Sequence, residues 1–388
     1  MHRRSFVKWG ALAGMTFAQQ RLSFAAAPTR KRLVVVLLRG GMDALHAVVP
    51  YADPSYEELR QRLYLPPPGE PEGVLDLDGF FGLHPDLGSL HRFYRQGDLA
   101  VVPAAATHYR KRSHFDGQNL LENGASVPFG AKDGWLNRAL AKLYDEDSRM
   151  GLALGPTVPL ILQGERPVRT WSSSQLPRPD EDFLRRVAYT YRSDDAFSKA
   201  LETAIRSEGD GPTMAPARKR NEMFESASKV AASLLSKDNG PRIAVIESSG
   251  WDTHFAQRRR LKTLFSQLAR GMDSLKGGLG PSWSKTAVVI VSEFGRTAAE
   301  NGSGGTDHGV GGVAFLLGGA VKGGRVVGDW PGLGRRDLHE GRDLRPVTDY
   351  ASIFKSVLSD HLGLDRFDVA NNVFPQLNHA KPIAGLFA

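Results

Sequence analysis

The chain has 388 residues, 50 Lys and Arg against 42 Asp and Glu, and no cysteine. A formal charge of +8 without any basic run interleaved with aromatics excludes a nucleic-acid footprint. The missing cysteines exclude disulfides, thiolate metal sites and a cysteine nucleophile. Stability must therefore come from a large core, which the 41% apolar content supplies.

The amino terminus reads as a signal peptide over residues 1–26. Arg3-Arg4-Ser5-Phe6-Val7-Lys8 forms a charged head, Trp9 to Ala18 a short apolar middle, and Ser23 to Ala27 a run that ends in three alanines. Consecutive arginines followed by Phe and Lys fit the twin-arginine pattern, which addresses folded cargo to a bacterial export machinery. Cleavage is expected after Ala25 or Ala26, because a later cut would place Pro28 directly after the bond. The segment carries Arg3, Arg4, Lys8 and Arg21 and no acid, so its removal takes +8 to +4. A periplasmic or secreted location follows. No later run reaches 18 apolar residues, so no stable membrane span is expected. Oligomeric state is not legible.

Leu33 to Leu38 is apolar at every position, the mark of a strand buried on both faces of a parallel sheet. Leu99–Val102, Ile243–Ile246, Ala287–Val291 and Val313–Leu317 repeat the pattern. Helical periodicity falls between them at Leu87–Tyr94, His114–Glu122, Phe255–Leu275 and Tyr350–Leu362, with several helices in succession over 180–237. Pro66-Pro67-Pro68 and the turn-rich stretch at 70–80 read as a surface loop. Strands alternating with helices predict an α/β sandwich, a mostly parallel central sheet with helices on both faces. No linker or repeat divides residues 27–388, which predicts one domain with a helical section at about 180–237.

Ligands of an open α/β sheet bind beyond the carboxyl ends of the strands. Those ends carry Asp43 after the first strand, Asp252 and His254 after the third, and Glu293 after the fourth. The glycine-rich loop into the fifth strand adds Asp307 and His308. Carboxylates mixed with imidazoles suit zinc, manganese or another divalent ion, with calcium or magnesium where oxygen dominates. Ser113 opens the helix after the second strand, where a hydroxyl is a nucleophile candidate or a simple helix cap. Arg112 adds charge beside it. Arg39 and Arg296, each near a carboxylate, are either bidentate clamps for an anionic substrate or structural ion pairs.

These segments also carry a resemblance. Leu-Leu-Arg-Gly-Gly-Met-Asp43, Arg-Ser-His-Phe-Asp116, Gly-Trp-Asp-Thr-His254, Ser-Glu-Phe-Gly-Arg-Thr297, Thr-Asp-His-Gly309 and Gly-Asp-Trp-Pro331 resemble a family of exported bacterial proteins, domain of unknown function family 1501. That family is itself similar to the alkaline phosphatase and sulfatase superfamily, metal-dependent hydrolases of phosphate and sulfate esters. The resemblance implies an alkaline-phosphatase-like sandwich with Asp43 as the first metal-binding aspartate and Ser113 as the nucleophile. It makes Asp252, His254 and His308 ligands of one ion, with Asp43, Glu293 and Asp307 around a second. Arg112 or Arg296 would position the anionic group. One departure stands out: Glu293-Phe294 occupies the place of Asp-His. Phenylalanine binds no metal, so His114 or Asp307 compensates, or one ion is present, or ester hydrolysis has been lost. The functions expected are an exported metal-dependent hydrolase of an anionic ester, or a non-catalytic exported scaffold or binding protein on the same fold.

Overall fold

A computed structural model describes residues 30–144, 150–172 and 222–388, together with 187 and 194. The proposed signal peptide and most of the helical section at 180–237 lie outside the described residues. The central sheet has nine strands: β1 (Arg32–Arg39), β2 (Leu99–Ala106), β3 (Gly151–Leu154), β4 (Val168–Trp171), β5 (Ile243–Ser249), β6 (Thr286–Ser292), β7 (Gly312–Leu317), β8 (Arg325–Val326) and β9 (Thr348–Asp349). Their order is β8-β2-β7-β6-β1-β5-β3-β4, with β9 also paired to β2. The fold is mixed α/β, as the alternating pattern predicts. Among the described strands of this sheet, only β7 runs antiparallel to its neighbours.

Among the described residues six principal helices flank the sheet: α1 (Gly88–Arg95), α2 (His114–Asn123), α3 (Trp135–Leu143), α4 (Met223–Leu235), α5 (Gln257–Leu279) and α6 (Tyr350–Ser356). Side chains alternate across β1, so one strand builds two cores. Val34, Val36 and Leu38 pack with Val230, Phe265, Leu268 and Met272 of α4 and α5. Leu33, Val35 and Leu37 pack with Trp135, Leu136, Ile353 and Phe354 of α3 and α6. This is why β1 can be apolar throughout.

Register carries the site. Leu38 pairs with Ser248 on one side and Ser292 on the other, so β1, β5 and β6 end level with one another. The loops after them leave the same edge, and β7, being antiparallel, begins there. The turn-rich stretch at 70–80 contains a short strand, Leu75–Asp76, that joins Gly82–Leu83 and Val48–Val49 in a small second sheet. No helix among the described residues is long and apolar enough to cross a membrane.

Candidate metal centre

At this edge β1 turns through Gly40, whose φ of 124° only glycine adopts readily. A Cβ on Gly40 would stand 2.4 Å from the Asp252 amide, so the turn lies directly against the loop after β5. The loop after β6 forms an antiparallel bridge, Arg296 to His308, with the loop entering β7. Four segments thus meet.

Side chains of two of these segments cluster there with His114 from the start of α2. His308 Nε2 lies 3.0 Å from His114 Nε2 and 3.0 Å from His254 Nε2. Asp252 Oδ1 stands 3.0 Å from His254 Nε2 and 3.2 Å from His308 Nε2, and its Oδ2 is 3.6 Å from His114 Nε2. The ligand atoms of His114, Asp252 and His308 all fall within 4.8 Å of one another.

The far sides of the rings decide what this means. His114 Nδ1 faces the Glu293 carboxylate at 2.7 Å, His254 Nδ1 the Asp307 carboxylate at 3.2 Å, and His308 Nδ1 the carbonyl of Arg112 at 3.1 Å. Each partner only accepts, so each Nδ1 is assigned the proton, and Nε2 is the nitrogen each ring turns inward. The donors of His114, Asp252 and His308 face one another at 3.0–3.6 Å and repel unless a cation stands between them, and His254 Nε2 adjoins two of them, His308 and Asp252. Separations of that size are the edges of a polyhedron with metal–nitrogen bonds of about 2.0–2.1 Å. Anchoring the second ring nitrogen to a carboxylate or carbonyl is also how metal-binding histidines are oriented. The donors fit a divalent ion.

Arg296 holds the frame. Its guanidinium is fully buried and donates to the carbonyls of Gly40, Gly41, Trp251 and Thr306 and, at 2.5 Å, to Asp252. Burial works against charge on Asp252, but Arg296, with His254 and His308 beside it, outweighs burial and brings the carboxyl down to about 2. The Glu293 hydrogen bond raises His114, whereas burial and the neighbouring His114 lower His308. Burial also opposes the charge on Glu293, and hydrogen bonds from His114 and Gln118 reverse it. Phe294 packs against the site, its buried ring 4.7 Å from that of His114 and 5.2 Å from that of His308.

Several sequence expectations fall elsewhere. Asp43 is not brought to the cluster: it is 1% exposed, ion-paired with the buried Arg60, bonded to Gln257 at 2.6 Å, and caps the turn Ala44–Ala47. Glu293 and Asp307 stand behind His114 and His254 rather than facing the centre. Arg296 has its donors committed, so it is a brace and not a free anion clamp. Arg112 pairs with Asp343 and Glu340 and serves the centre through its carbonyl, which its left-handed φ of 61° accompanies. Arg39 is taken by Glu122 and Glu247. Ser113 makes no capping bond, and its amide faces the Tyr109 hydroxyl at 3.3 Å. His114, named in the sequence only as a compensating residue, is brought to the cluster with Asp252 and His308. Its position at the start of α2, after the end of β2, was the signal available.

The family model described as protein of unknown function (DUF1501) matches residues 84–374, well over half of the chain. The chain belongs to that family. No curated protein matches the sequence. Solved structures similar to it include a Vibrio parahaemolyticus protein in the alkaline phosphatase superfamily (12% identity, covering 92% of this chain and 72% of that one, TM-score 0.44). A putative sulfatase from Bacteroides thetaiotaomicron is similar at 8% identity, 92% and 76% coverage and TM-score 0.44. The C-terminal periplasmic domain of EcEptC from Escherichia coli, in complex with zinc, is similar at 10% identity, 90% and 88% coverage and TM-score 0.43. Likenesses at that distance assign no chemistry to this member of the family.

Proposed function

We propose that the protein is an exported, metal-dependent hydrolase of phosphate or sulfate esters that works with a single divalent ion. The observation that carries this reading is the set of three imidazoles, each anchored through Nδ1 and each turning Nε2 toward Asp252. His114, His254, His308 and Asp252 are the ligands, and zinc is the ion that imidazole-rich, thiolate-free donors favour at neutral pH. When bound, the ion supplies a Lewis acid that polarises the ester and lowers the pKa of water. The chain's residues contribute preorganisation. Glu293, Asp307 and the Arg112 carbonyl fix the ring tautomers. Arg296 keeps Asp252 ionised and immobile, and Phe294 packs against the rings of His114 and His308. Side-chain exposures of 25–44% among the four donors leave the outer face open to an ester. Ser113, beside His114 and against Tyr109, is the hydroxyl to test as nucleophile.

A second reading has one observation of its own. Arg39, Arg112 and Arg296 are each engaged by carboxylates or carbonyls, so none of the three is free to grip an anion. This favours a non-catalytic exported protein that retains the ion for structure. Metal analysis of the purified protein, followed by turnover with nitrophenyl phosphate and nitrophenyl sulfate, separates the two. One ion per chain with metal-dependent release of nitrophenol supports the hydrolase, whereas one ion without turnover of either ester supports the scaffold. Export by the twin-arginine machinery to the periplasm or beyond is part of the proposal. Sequencing the amino terminus of the exported protein tests it, with Ala26 or Ala27 expected first.

A further inference from the structure

Thr253 stands between the ligands Asp252 and His254, and Thr306 lies two residues before His308. Both are fully buried, and both hydroxyls donate to one atom, Gln257 Oε1, at 2.9 and 2.7 Å. Gln257 is the first residue of α5 and is itself without exposure. Its side-chain nitrogen donates to Asp43 Oδ2 at 2.6 Å. Asp43 only accepts, which assigns the nitrogen to that side and the oxygen to the two threonines. Asp43 in turn pairs with Arg60, whose guanidinium also donates to the carbonyls of Thr297 and Ala298 at 2.9 and 2.6 Å. One buried run of hydrogen bonds therefore joins the turn after β1 to the loop after β5, the loop after β6 and the loop into β7.

Burying the polar side chains of Asp43, Arg60, Thr253, Gln257 and Thr306 is costly unless each meets partners, and apolar residues of similar volume would pack there at no such cost. What the network supplies is geometry. The two ligand loops already touch: the Gln257 amide donates to the Gly304 carbonyl at 2.9 Å, and a Cβ on Gly305 would stand 2.3 Å from the His254 carbonyl carbon. With loops this close, a small slide of one past the other would change the 3.0 Å separation of His254 Nε2 and His308 Nε2. An acceptor shared by one hydroxyl from each loop opposes that slide, because neither hydroxyl can move without losing its bond.

We propose that Gln257 is a positioning residue for the metal centre: its amide, held by the Asp43–Arg60 pair, sets Asp252 and His254 at the right distance from His308. The proposal rests on the reading that these groups hold a divalent ion, and it adds the device that presets their spacing before the ion arrives. Removing the amide leaves every donor atom in place but lets the two loops sample more positions, so that ion binding must supply the ordering itself.

The test is the zinc affinity of the full chain, measured by competition with a chelator, together with urea unfolding of the metal-free chain and NMR of its histidine ring nitrogens. Gln257→Met keeps the side chain's length and removes its amide, and zinc affinity is expected to fall about tenfold or more in the folded variant. Thr253→Val and Thr306→Val each delete one hydroxyl at nearly constant shape and are expected to lose less. Thr253→Ser and Thr306→Ser keep the hydroxyl and recover the affinity. Gln257→Met combined with Thr306→Val should lose less than the two single losses added together, because amide and hydroxyl act through one bond. In the metal-free chain, Gln257→Met is expected to shift the ring signals of His254 and His308 and to leave those of His361, buried against the Arg32 carbonyl, in place. Unchanged zinc affinity in folded Gln257→Met overturns the proposal, as does a loss in Thr306→Ser equal to that in Thr306→Val, or lowered urea stability with unaltered ring signals. Where Gln257→Met fails to fold, the valine variants and their serine counterparts decide by the same comparison. A parent chain that binds no zinc, but whose His254 and His308 signals shift in Gln257→Met, counts against the metal centre alone, so the two failures are distinguishable.

Discussion

Asp43 and Asp252 follow neighbouring strands at the same edge of the sheet, yet they have opposite surroundings. Asp43 is sealed in, its charge met by the Arg60 guanidinium and its remaining lone pair by Gln257. Asp252 keeps a side-chain exposure of 44% and turns toward three imidazoles, braced from behind by Arg296. A strand end delivers a carboxylate to the edge, but the group waiting there decides whether its lone pairs stay available. Where an ion would otherwise have to balance Asp43, the chain supplies its own cation.

The comparison is broken most severely on the open side. His308→Ala or Asp252→Ala removes a donor facing the centre, and zinc affinity is expected to fall by more than about 100-fold, beyond the loss from supporting residues. Calorimetric titration with zinc checks it. On the sealed side, Asp43→Ala should leave one zinc per chain but strand Arg60 in the core, costing about 3–5 kcal/mol of stability in urea unfolding. Loss of zinc in that variant would make Asp43 a ligand after all. Glu293→Gln sharpens the boundary, because it leaves every donor in place while loosening the His114 tautomer. Zinc affinity should drop by about 10- to 100-fold with little change in fold.

A separate effect belongs to pH. Burial lowers His46 and His361 to about 4 and His84 to about 3, and His46 has no hydrogen-bond partner on either nitrogen. Unfolding frees these rings to take protons at their ordinary value near 6.5. Between about 4 and 6.5 the unfolded chain binds more protons, so stability is full above that window and falls as pH drops through it. Urea midpoints at pH 7, 5.5 and 4.5 measure the slope. His46→Leu, which removes the buried ring next to Asp43, should flatten it.

Much of the fold was legible because burial on both faces leaves an unbroken apolar strand, as in Leu33–Leu38 and Ala287–Val291. The strand Gly151–Leu154 and the edge strand Val168–Trp171 beside it were not, being four residues each and, in the second, part-exposed and mixed. The reversed direction of Val313–Leu317 leaves no trace in composition either. Within the site, Asp252, His254 and His308 announce themselves in glycine-rich turns at strand ends. Whether Glu293 and Asp307 face the centre or support a ring depends on partners 179 and 53 residues away, which no spacing reveals. The partner of Asp43 is hidden for the same reason: Arg60 follows it by 17 residues, and no motif joins the two.

The zinc-edge X-ray absorption spectrum of the zinc-loaded protein, taken with its metal stoichiometry, tests the central claim most directly. One ion per chain, coordinated by three imidazole nitrogens and a carboxylate oxygen, is the result predicted. A chain that retains no zinc, or one that binds two ions with fewer than three imidazoles around either, would contradict it.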